Sequence, residues 1–209
     1  MVKRMLGDRG RGVMKRRRPN VGRYIPMEPR KNKMGLIMNQ LMTTRHIRYN
    51  VSFSTLSFAG SSEFRLSFLP NHTEFVNLFD CFKIWKVEVT FVPKYNSSEF
   101  GASTTIPSIY IASDRTDASV PTTINEMCEY ATCVTRRFDR PVKYTIWPSV
   151  GEDGNVVVID DKQRDKWVNC TYPATQHYGI KYAVDMPIGL SSVPVDIVHK
   201  YFLKFKDVK

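Results

Sequence analysis

Apolar and polar residues alternate with a period of two along three long stretches of the chain, residues 47–55, 85–93 and 195–206. Successive side chains of a β-strand point to opposite faces, so each stretch predicts a strand with one buried face. In the second stretch the predicted inner face carries Trp85, Val87, Val89 and Phe91. In the third stretch it carries Val195, Ile197, His199, Tyr201, Leu203 and Phe205.

Shorter apolar runs predict further strands, and two segments have the pattern of a short helix. The strand segments are 64–68, 109–111, 131–138, 142–147, 167–170 and 178–184. The first helix is predicted to begin at a Thr73 cap and to present Phe75, Leu78, Phe79 and Phe82 on one face. The second is predicted to begin at the Thr123–Glu126 capping box and to present Ile124, Met127 and Cys128.

The number and order of these elements indicate an all-β protein. There are about eight principal strands, few helices, and no regular alternation of strand and helix of the kind that a parallel sheet requires. This arrangement favours an antiparallel sandwich of two sheets or a jelly roll, with the short helices lying in loops. The length of the chain after residue 33 suits a single domain, 34–209.

The charge of the chain is concentrated in its first 33 residues. This segment has 12 basic and two acidic residues, whereas residues 34–209 have 19 basic and 18 acidic residues. Glycine and proline interrupt it and no apolar periodicity is present, so we expect residues 1–33 to form a disordered arm. We expect the arm to bind a polyanion through Lys3, Arg4, Arg9, Arg11, Lys15, Arg16, Arg17, Arg18, Arg23, Arg30, Lys31 and Lys33.

Nucleic acid is the polyanion that this arm favours. Lysine and arginine replace the counterions along a phosphate backbone, which gives sequence-independent and salt-sensitive binding. The run Lys15, Arg16, Arg17 and Arg18 also has the pattern of a nuclear localisation signal, which a nuclear import receptor would read. A solubility tail or a nuclear signal alone is the alternative interpretation of the arm.

A second basic set lies on the predicted last strand. Lys200, Lys204 and Lys206 share one face, and Arg48 has the matching polar position on the first long strand. If the two strands pair, these side chains form a basic patch that extends the surface in contact with nucleic acid. A solvated sheet face is the alternative, and the pattern favours it.

Other kinds of site find little support. His46, His72, His177 and His199 are scattered and no catalytic motif is present, so we expect no enzyme activity and no cofactor. His199 alternates with core residues, so we expect it to lie inside the fold with its hydrogen bonds satisfied. We expect Cys81, Cys128, Cys133 and Cys170 to be reduced, small apolar residues rather than zinc ligands. The acidic set is open to a metal or receptor role, but solubility is favoured: Glu152, Asp153, Asp160, Asp161 and Asp165.

We expect neither membrane insertion nor secretion. No apolar run approaches the roughly 20 residues that a membrane-spanning helix needs. The start of the chain is positively charged but lacks the apolar stretch of a signal peptide.

Three segments resemble circovirus and cyclovirus capsid proteins, the coat proteins of small viruses with circular single-stranded DNA. The segment Phe79–Pro93 (FDCFKIWKVEVTFVP) is similar to their Y/F-x-x-F/Y-R/K-I-x-K-V-x-V-x-F-x-P stretch. Residues 109–114 (IYIASD) and 201–206 (YFLKFK) resemble two further strands of that family. The arm departs from the pattern, because glycine interrupts it and lysine is mixed with arginine.

The resemblance implies an eight-stranded jelly roll of two four-stranded sheets, about 60 copies of which form a T=1 icosahedral shell around single-stranded DNA. It also implies a protein of the virion and of the host nucleus. By analogy, loops 60–71, 113–130, 150–166 and 186–194 lie at one end of the sandwich and line a fivefold vertex of the shell. Exposed loops are also expected to contact a cell-surface receptor or glycan. The alternatives are a cellular β-sandwich protein that binds nucleic acid and the coat protein of a small single-stranded RNA virus.

Overall fold

A computed structural model describes residues 41–56, 58–95, 105–151, 166–186 and 192–209. The strands are β1 (Leu41–Ser54), β2 (Ala59–Phe64), β3 (Phe79–Pro93), β4 (Ser108–Ser113), β5 (Val134–Arg137), β6 (Val142–Ile146), β7 (Ser149–Val150), β8 (Val168–Asn169), β9 (His177–Asp185) and β10 (Ser192–Val208). A 3₁₀ turn spans Leu66–Phe68, and the helices are α1 (His72–Leu78) and α2 (Ile124–Glu129). No helix within these ranges is long and apolar enough to span a membrane.

The strands form two antiparallel sheets. Sheet I has the order β1-β10-β3-β6, and β8 pairs with β3; sheet II has the order β2-β9-β4-β5, and β7 pairs with β9. Leaving aside the two-residue strands β7 and β8, each sheet has four strands, and the chain crosses between the sheets in the order of a jelly roll. The predicted fold class is therefore confirmed.

Strand β10 supplies much of the core between the sheets. Its six predicted inner residues are all buried, as the alternation along residues 195–205 indicated. Phe205 stacks against Phe75 and Phe79, with ring centroids 4.6 Å and 4.9 Å apart. Burying one aromatic side chain contributes about 1.5–3 kcal/mol, so this end of the core depends strongly on β10.

A β-bulge in β3 overturns the predicted position of Trp85. Lys86 is opposite Phe202 and Ile84 is opposite Leu203, so Trp85 is the extra residue between two paired positions. An extra residue reverses the phase of the alternation. Phe82 and Ile84 are therefore buried before the bulge and Val87 after it, whereas Trp85 leaves the inner face.

The segment between β2 and β3 also differs from prediction. The expected strand 64–68 is the end of β2 followed by the 3₁₀ turn, and helix α1 begins after Asn71 rather than at a Thr73 cap. Phe79 and Phe82 belong to β3, because the helix is only seven residues long. Phe75, Phe79 and Phe82 have the spacing of one helical face, but the chain changes from helix to strand between Leu78 and Phe79.

Helix α2 covers the outer face of sheet II. The Thr123 side chain accepts a hydrogen bond from the Glu126 backbone N–H (3.1 Å), which confirms the predicted cap. Met127 is fully buried with Ala112 and Ala183 in a second apolar cluster. Cys128, which was expected on the buried face, is exposed, because a six-residue helix buries only one narrow stripe.

Two histidines are buried in the interior. His177 is 1% exposed and His199 is 3% exposed. His177 Nδ1 lies 3.1 Å from the Thr175 carbonyl oxygen, whereas both ring nitrogens of His199 lack a hydrogen-bond partner among the described residues. Burial disfavours the charged imidazolium and lowers the pKa of each ring to about 4. Both are therefore neutral at pH 7. The inner position predicted for His199 is confirmed, but the expected hydrogen bonds of its ring are wrong, because its neighbours in the core are aromatic rings.

We predict that acid destabilises the fold before its carboxylates titrate. A histidine whose folded pKa is depressed stabilises the folded state above its ordinary pKa, and this contribution is lost as the pH falls toward 4. Each histidine accounts for a loss of roughly 2 kcal/mol between about pH 7 and pH 5, a range that lies above the ordinary pKa values of carboxylates. Urea unfolding at the two pH values measures it. His199→Phe should remove about half of the loss, and a pH-independent free energy of unfolding would contradict the prediction.

Candidate nucleic-acid interface

The bulge in β3 places aromatic rings beside lysines on the outer face of sheet I. Lys86 Nζ lies 3.8 Å from the centre of the Phe202 ring, and Lys200 Nζ lies 5.2 Å from it. Lys204 Nζ lies 4.7 Å from the centre of the Trp85 ring. These five side chains, which we call the lysine–aromatic patch, lie on the neighbouring strands β3 and β10.

The lysine–aromatic patch has an excess of positive charge. Glu88 accepts from Lys86 at 3.0 Å and from Lys143 at 2.7 Å, and hydrogen bonds from these two lysines lower its pKa. Within the described part of the chain, neither Lys200 nor Lys204 has a carboxylate partner. Two ammonium groups are therefore held by ring contacts and are open to an anionic ligand.

The other two members of the predicted basic set do not join this patch. Arg48 forms an ion pair with the buried Asp196, which also accepts from Lys94 at 2.8 Å. The hydrogen bond from Arg48, followed by that from Lys94, lowers the pKa of Asp196. Lys206 lies 3.6 Å from Asp207 and is largely covered. Arg48 and Lys206 therefore do not contribute to the basic patch, which was the less favoured of the two interpretations, because each has an acidic partner that the face pattern did not consider.

Sequence reasoning missed Trp85 and Phe202 as surface residues. Phe202 is in the predicted outer series of β10, but only its lysine neighbours were singled out. Trp85 was assigned to the core because the bulge has no signature in the residue alternation. Flat rings between ammonium groups suit single-stranded nucleic acid, since bases stack on the rings and phosphates attract the lysines.

The outer face of sheet II has a different chemistry. Lys181 of β9 is 2% exposed, and its Nζ contacts Asp114 (2.9 Å), Asp117 (2.8 Å), Ser119 Oγ (2.9 Å) and Tyr130 Oη (2.9 Å). These partners come from the segment that runs from β4 through α2 and covers the sheet. The charge of Lys181 therefore holds that segment in place and is not available to a ligand.

The pKa values of Lys181 and Asp114 agree with an ion pair in which both groups are charged. Burial alone would lower the pKa of Lys181, but the hydrogen bonds that its ammonium group donates to Asp117, Tyr130 and Asp114 outweigh burial and raise the pKa. Burial would likewise raise the pKa of Asp114, but hydrogen bonds from Thr116 and Lys181 lower it to about 2. The buried charges compensate each other, which is the condition for tolerating them in an interior.

Several predicted sites lie outside the described residues. These include all twelve arm cations, among them the Lys15–Arg18 run, and the acidic set from Glu152 to Asp165. Within the described ranges, no group of three or more histidine, cysteine, aspartate or glutamate side chains is arranged to hold a metal ion.

The cysteines have different environments. All four are free thiols; Cys81 and Cys170 are buried, Cys133 is partly exposed and Cys128 is exposed. Burial raises the pKa of Cys170 to about 12. The expectation of small buried residues therefore holds for Cys81 and Cys170 and fails for Cys128.

The expected loop cluster is also corrected. Ser113 at the end of β4 is opposite Ile180, whereas Asp185 at the end of β9 is opposite Ser108. The chain therefore leaves these antiparallel strands at opposite ends of sheet II, so Met186, where one expected loop begins, does not lie with Ser113, where another begins. The first residues of the expected loop 60–71 belong to β2.

Comparisons with known proteins address the family and the fold. A sequence profile described as "Circovirus capsid protein" matches residues 3–209. The crystal structure of the BFDV capsid protein as a 60-mer is similar to this chain, with a TM-score of 0.57 and 15% sequence identity. The similarity covers 81% of this chain and 94% of the BFDV chain.

The crystal structure of the decameric BFDV capsid protein has a TM-score of 0.55 and 14% sequence identity, and the similarity covers 81% of this chain and 99% of the BFDV chain. Cucumber necrosis virus has a TM-score of 0.52 and 13% identity, covering 81% and 52%. A search of curated proteins finds no match.

We predict that Lys181→Met destabilises the fold by about 3–5 kcal/mol, because it leaves the carboxylate of Asp114 buried without its partner. Urea unfolding measures the loss. The double variant Lys181→Met, Asp114→Asn should recover part of it, since the uncompensated charge is gone. Asp117→Asn is the control with a small effect, because the Asp117 side chain is 54% exposed. Equal losses for Lys181→Met and Asp117→Asn would contradict the assignment.

Proposed function

Because the chain belongs to the circovirus capsid protein family, we propose that it assembles into a closed T=1 shell of 60 copies that packages circular single-stranded DNA. A viral capsid protein is a component of the virion, and its family and fold are those of a structural protein. We propose accordingly that the chain has no catalytic activity. The family match over residues 3–209 is the observation that carries this proposal.

The described surface supports assembly. Phe68, Leu78, Trp147 and Tyr172 are large apolar side chains that are 40–54% exposed. Phe68 and Leu78 lie on the connection from β2 to β3, and Tyr172 follows β8, which pairs with the start of β3. Exposed apolar groups near one end of a sandwich favour contact with another subunit. The BFDV capsid protein, which shares the fold, forms a 60-mer.

Packaging rests on the charge of the arm. Residues 1–33 carry a net charge of +10, and the rest of the chain carries +1. In a shell of 60 copies the arms would bring on the order of 600 positive charges to the enclosed nucleic acid. Lys3, Arg4, Arg9, Arg11 and the following basic residues would bind phosphates without reading the base sequence.

The same arm would serve the protein before assembly. We propose that Lys15, Arg16, Arg17 and Arg18 act as a nuclear localisation signal that binds an import receptor, so that assembly takes place in the host nucleus. On the finished particle, exposed loops between the strands would contact a cell-surface receptor or glycan.

The lysine–aromatic patch would add to nucleic-acid binding. It offers two ammonium groups without carboxylate partners among the described residues, and Trp85 and Phe202 beside them. Unpaired bases stack on exposed rings with a gain of about 1–3 kcal/mol each, whereas a duplex hides its bases. The patch therefore favours single-stranded over double-stranded nucleic acid.

We predict that deleting residues 1–33 leaves the jelly roll folded and abolishes packaging, because most of the net charge is removed. Electron microscopy, circular dichroism and nuclease-protected nucleic acid in purified particles measure assembly, folding and packaging separately. The full chain should yield small uniform spheres that protect single-stranded DNA. The proposal would be refuted if truncated particles protected as much DNA as the full chain, or if the full chain bound DNA without forming a closed shell. Protection of RNA in place of DNA would identify the coat protein of an RNA virus.

We predict that Lys200→Gln, Lys204→Gln weakens binding of the full chain to single-stranded DNA and lowers the slope of log K against log salt by about 1.4, since two phosphate contacts are lost. The control Arg136→Gln, Arg140→Gln removes the same charge from exposed positions outside sheet I. Trp85→Leu should weaken binding at every salt concentration, because stacking does not release counterions. Equal effects of the two double variants would show that only net charge matters and would exclude the patch.

A further inference from the structure

A cavity of about 330 Å³ opens where the edge of sheet I meets the edge of sheet II. Strand β1 is the edge strand of sheet I and β2 that of sheet II, and both contribute to its walls. The side chains that form its walls include Tyr49, Val51, Phe68, Tyr182, Ile197 and His199. The cavity is large enough for a small organic molecule.

The His199 ring is the unusual feature of this cavity. It is 3% exposed, and neither ring nitrogen has a hydrogen-bond partner among the described residues. Tyr49 and Phe64 hold the ring edge to face, with centroids 5.1 Å and 5.4 Å away. A buried polar group without a partner costs about 1–3 kcal/mol, so the fold keeps this imidazole at the cavity wall against a stability penalty.

The remaining polar groups around the cavity limit the charge of a ligand. Glu63 is engaged by Arg65 at 2.8 Å and by Gln176, so its charge is already compensated. Tyr201 is fully buried next to His199, and its hydroxyl also lacks a partner among the described residues. Burial raises the pKa of that hydroxyl, so it stays neutral. An ionic ligand would find no free counter-charge here.

We propose that this cavity binds a small, neutral, planar aromatic molecule carrying one O–H or N–H group, which donates a hydrogen bond to the imidazole of His199. Val51 and Ile197 supply apolar wall, and the rings of Tyr49, Phe68 and Tyr182 favour a flat aromatic body. Neutral imidazole always has one nitrogen that accepts a hydrogen bond, which provides the polar anchor. This site is independent of the arm and of DNA packaging.

Binding at this position would couple the two sheets. The ligand would contact β1 and β10 of sheet I together with β2 and β9 of sheet II. A molecule that binds only the folded state stabilises it in proportion to the logarithm of its concentration over Kd. Occupancy would therefore raise the Tm of the full-length protein.

A second cavity serves as the internal comparison. It has about 440 Å³ and is lined by Thr55, Phe58, Thr122, Thr123, Ile124, Asn125, Val184 and Met186. No residue of this lining has a buried side-chain polar atom without a partner. It has apolar wall without the imidazole, so it isolates the contribution of His199.

The test uses phenol as the hydrogen-bond donor and benzene as the donor-free probe, with isothermal titration calorimetry and Tm shifts on the full chain. Phenol should bind saturably and about tenfold more tightly to the natural protein than to His199→Phe, which keeps an aromatic ring and removes the acceptor. Benzene should bind both proteins equally. Val51→Phe, which fills the cavity, should abolish phenol binding, and Ile124→Phe, which fills the second cavity, should leave it unchanged.

Three results would contradict binding of the ligand to His199 in this cavity. Absence of saturable phenol binding, equal affinity of the natural protein and His199→Phe, or loss of binding in Ile124→Phe alone would overturn the proposal. If Val51→Phe does not fold, the ¹⁵N resonances of the His199 ring decide the matter. They are assigned by their absence in His199→Phe, and they must shift during the phenol titration.

Discussion

The pairing of β10 with both β1 and β3 is the constraint on which the rest of the structure depends. Strand β10 spans 17 residues and occupies an inner position of sheet I, and its inner face contributes the buried series from Val193 to Phe205. The pairing joins residues far apart in sequence, for example Tyr49 with Ile197. Closing such long loops costs entropy, which the apolar area buried by β10 must offset. The strand that ends the described chain therefore completes the core.

The bulge at Trp85 links this core to the surface. Between β10 and β3 the register shifts by one residue, which keeps Ile84 and Val87 buried on either side. The same shift places Trp85 next to Lys204 on the outer face. The same bulge that preserves the packing of the core therefore also forms the lysine–aromatic patch.

The two outer faces of the sandwich differ because, among the described residues, a helix and its flanking segment cover only the face of sheet II. On sheet II, helix α2 and its flanking segment bury Lys181, whose ion pair with Asp114 holds that segment on the sheet. On sheet I, the ammonium groups of Lys200 and Lys204 rest against rings and keep their charge available. Between the sheets, His199 remains without a partner, where an apolar residue would give greater stability. The buried charge of Lys181 therefore stabilises the fold, whereas the accessible charge on sheet I supports the proposed binding of nucleic acid.

The sequence by itself determined most of the strands, the inner face of β10, the capped helix α2 and the segregation of charge into residues 1–33. These features follow from local periodicity, capping chemistry and composition, which need no knowledge of distant residues. The tertiary structure alone decided the position of Trp85, the ion pair that removes Arg48 from the basic patch, and the burial of Lys181 under α2. It also decided which loops share an end of the sandwich. Each of these depends on which strand lies beside which and in what register, and a shift of one residue reverses the face of every side chain that follows.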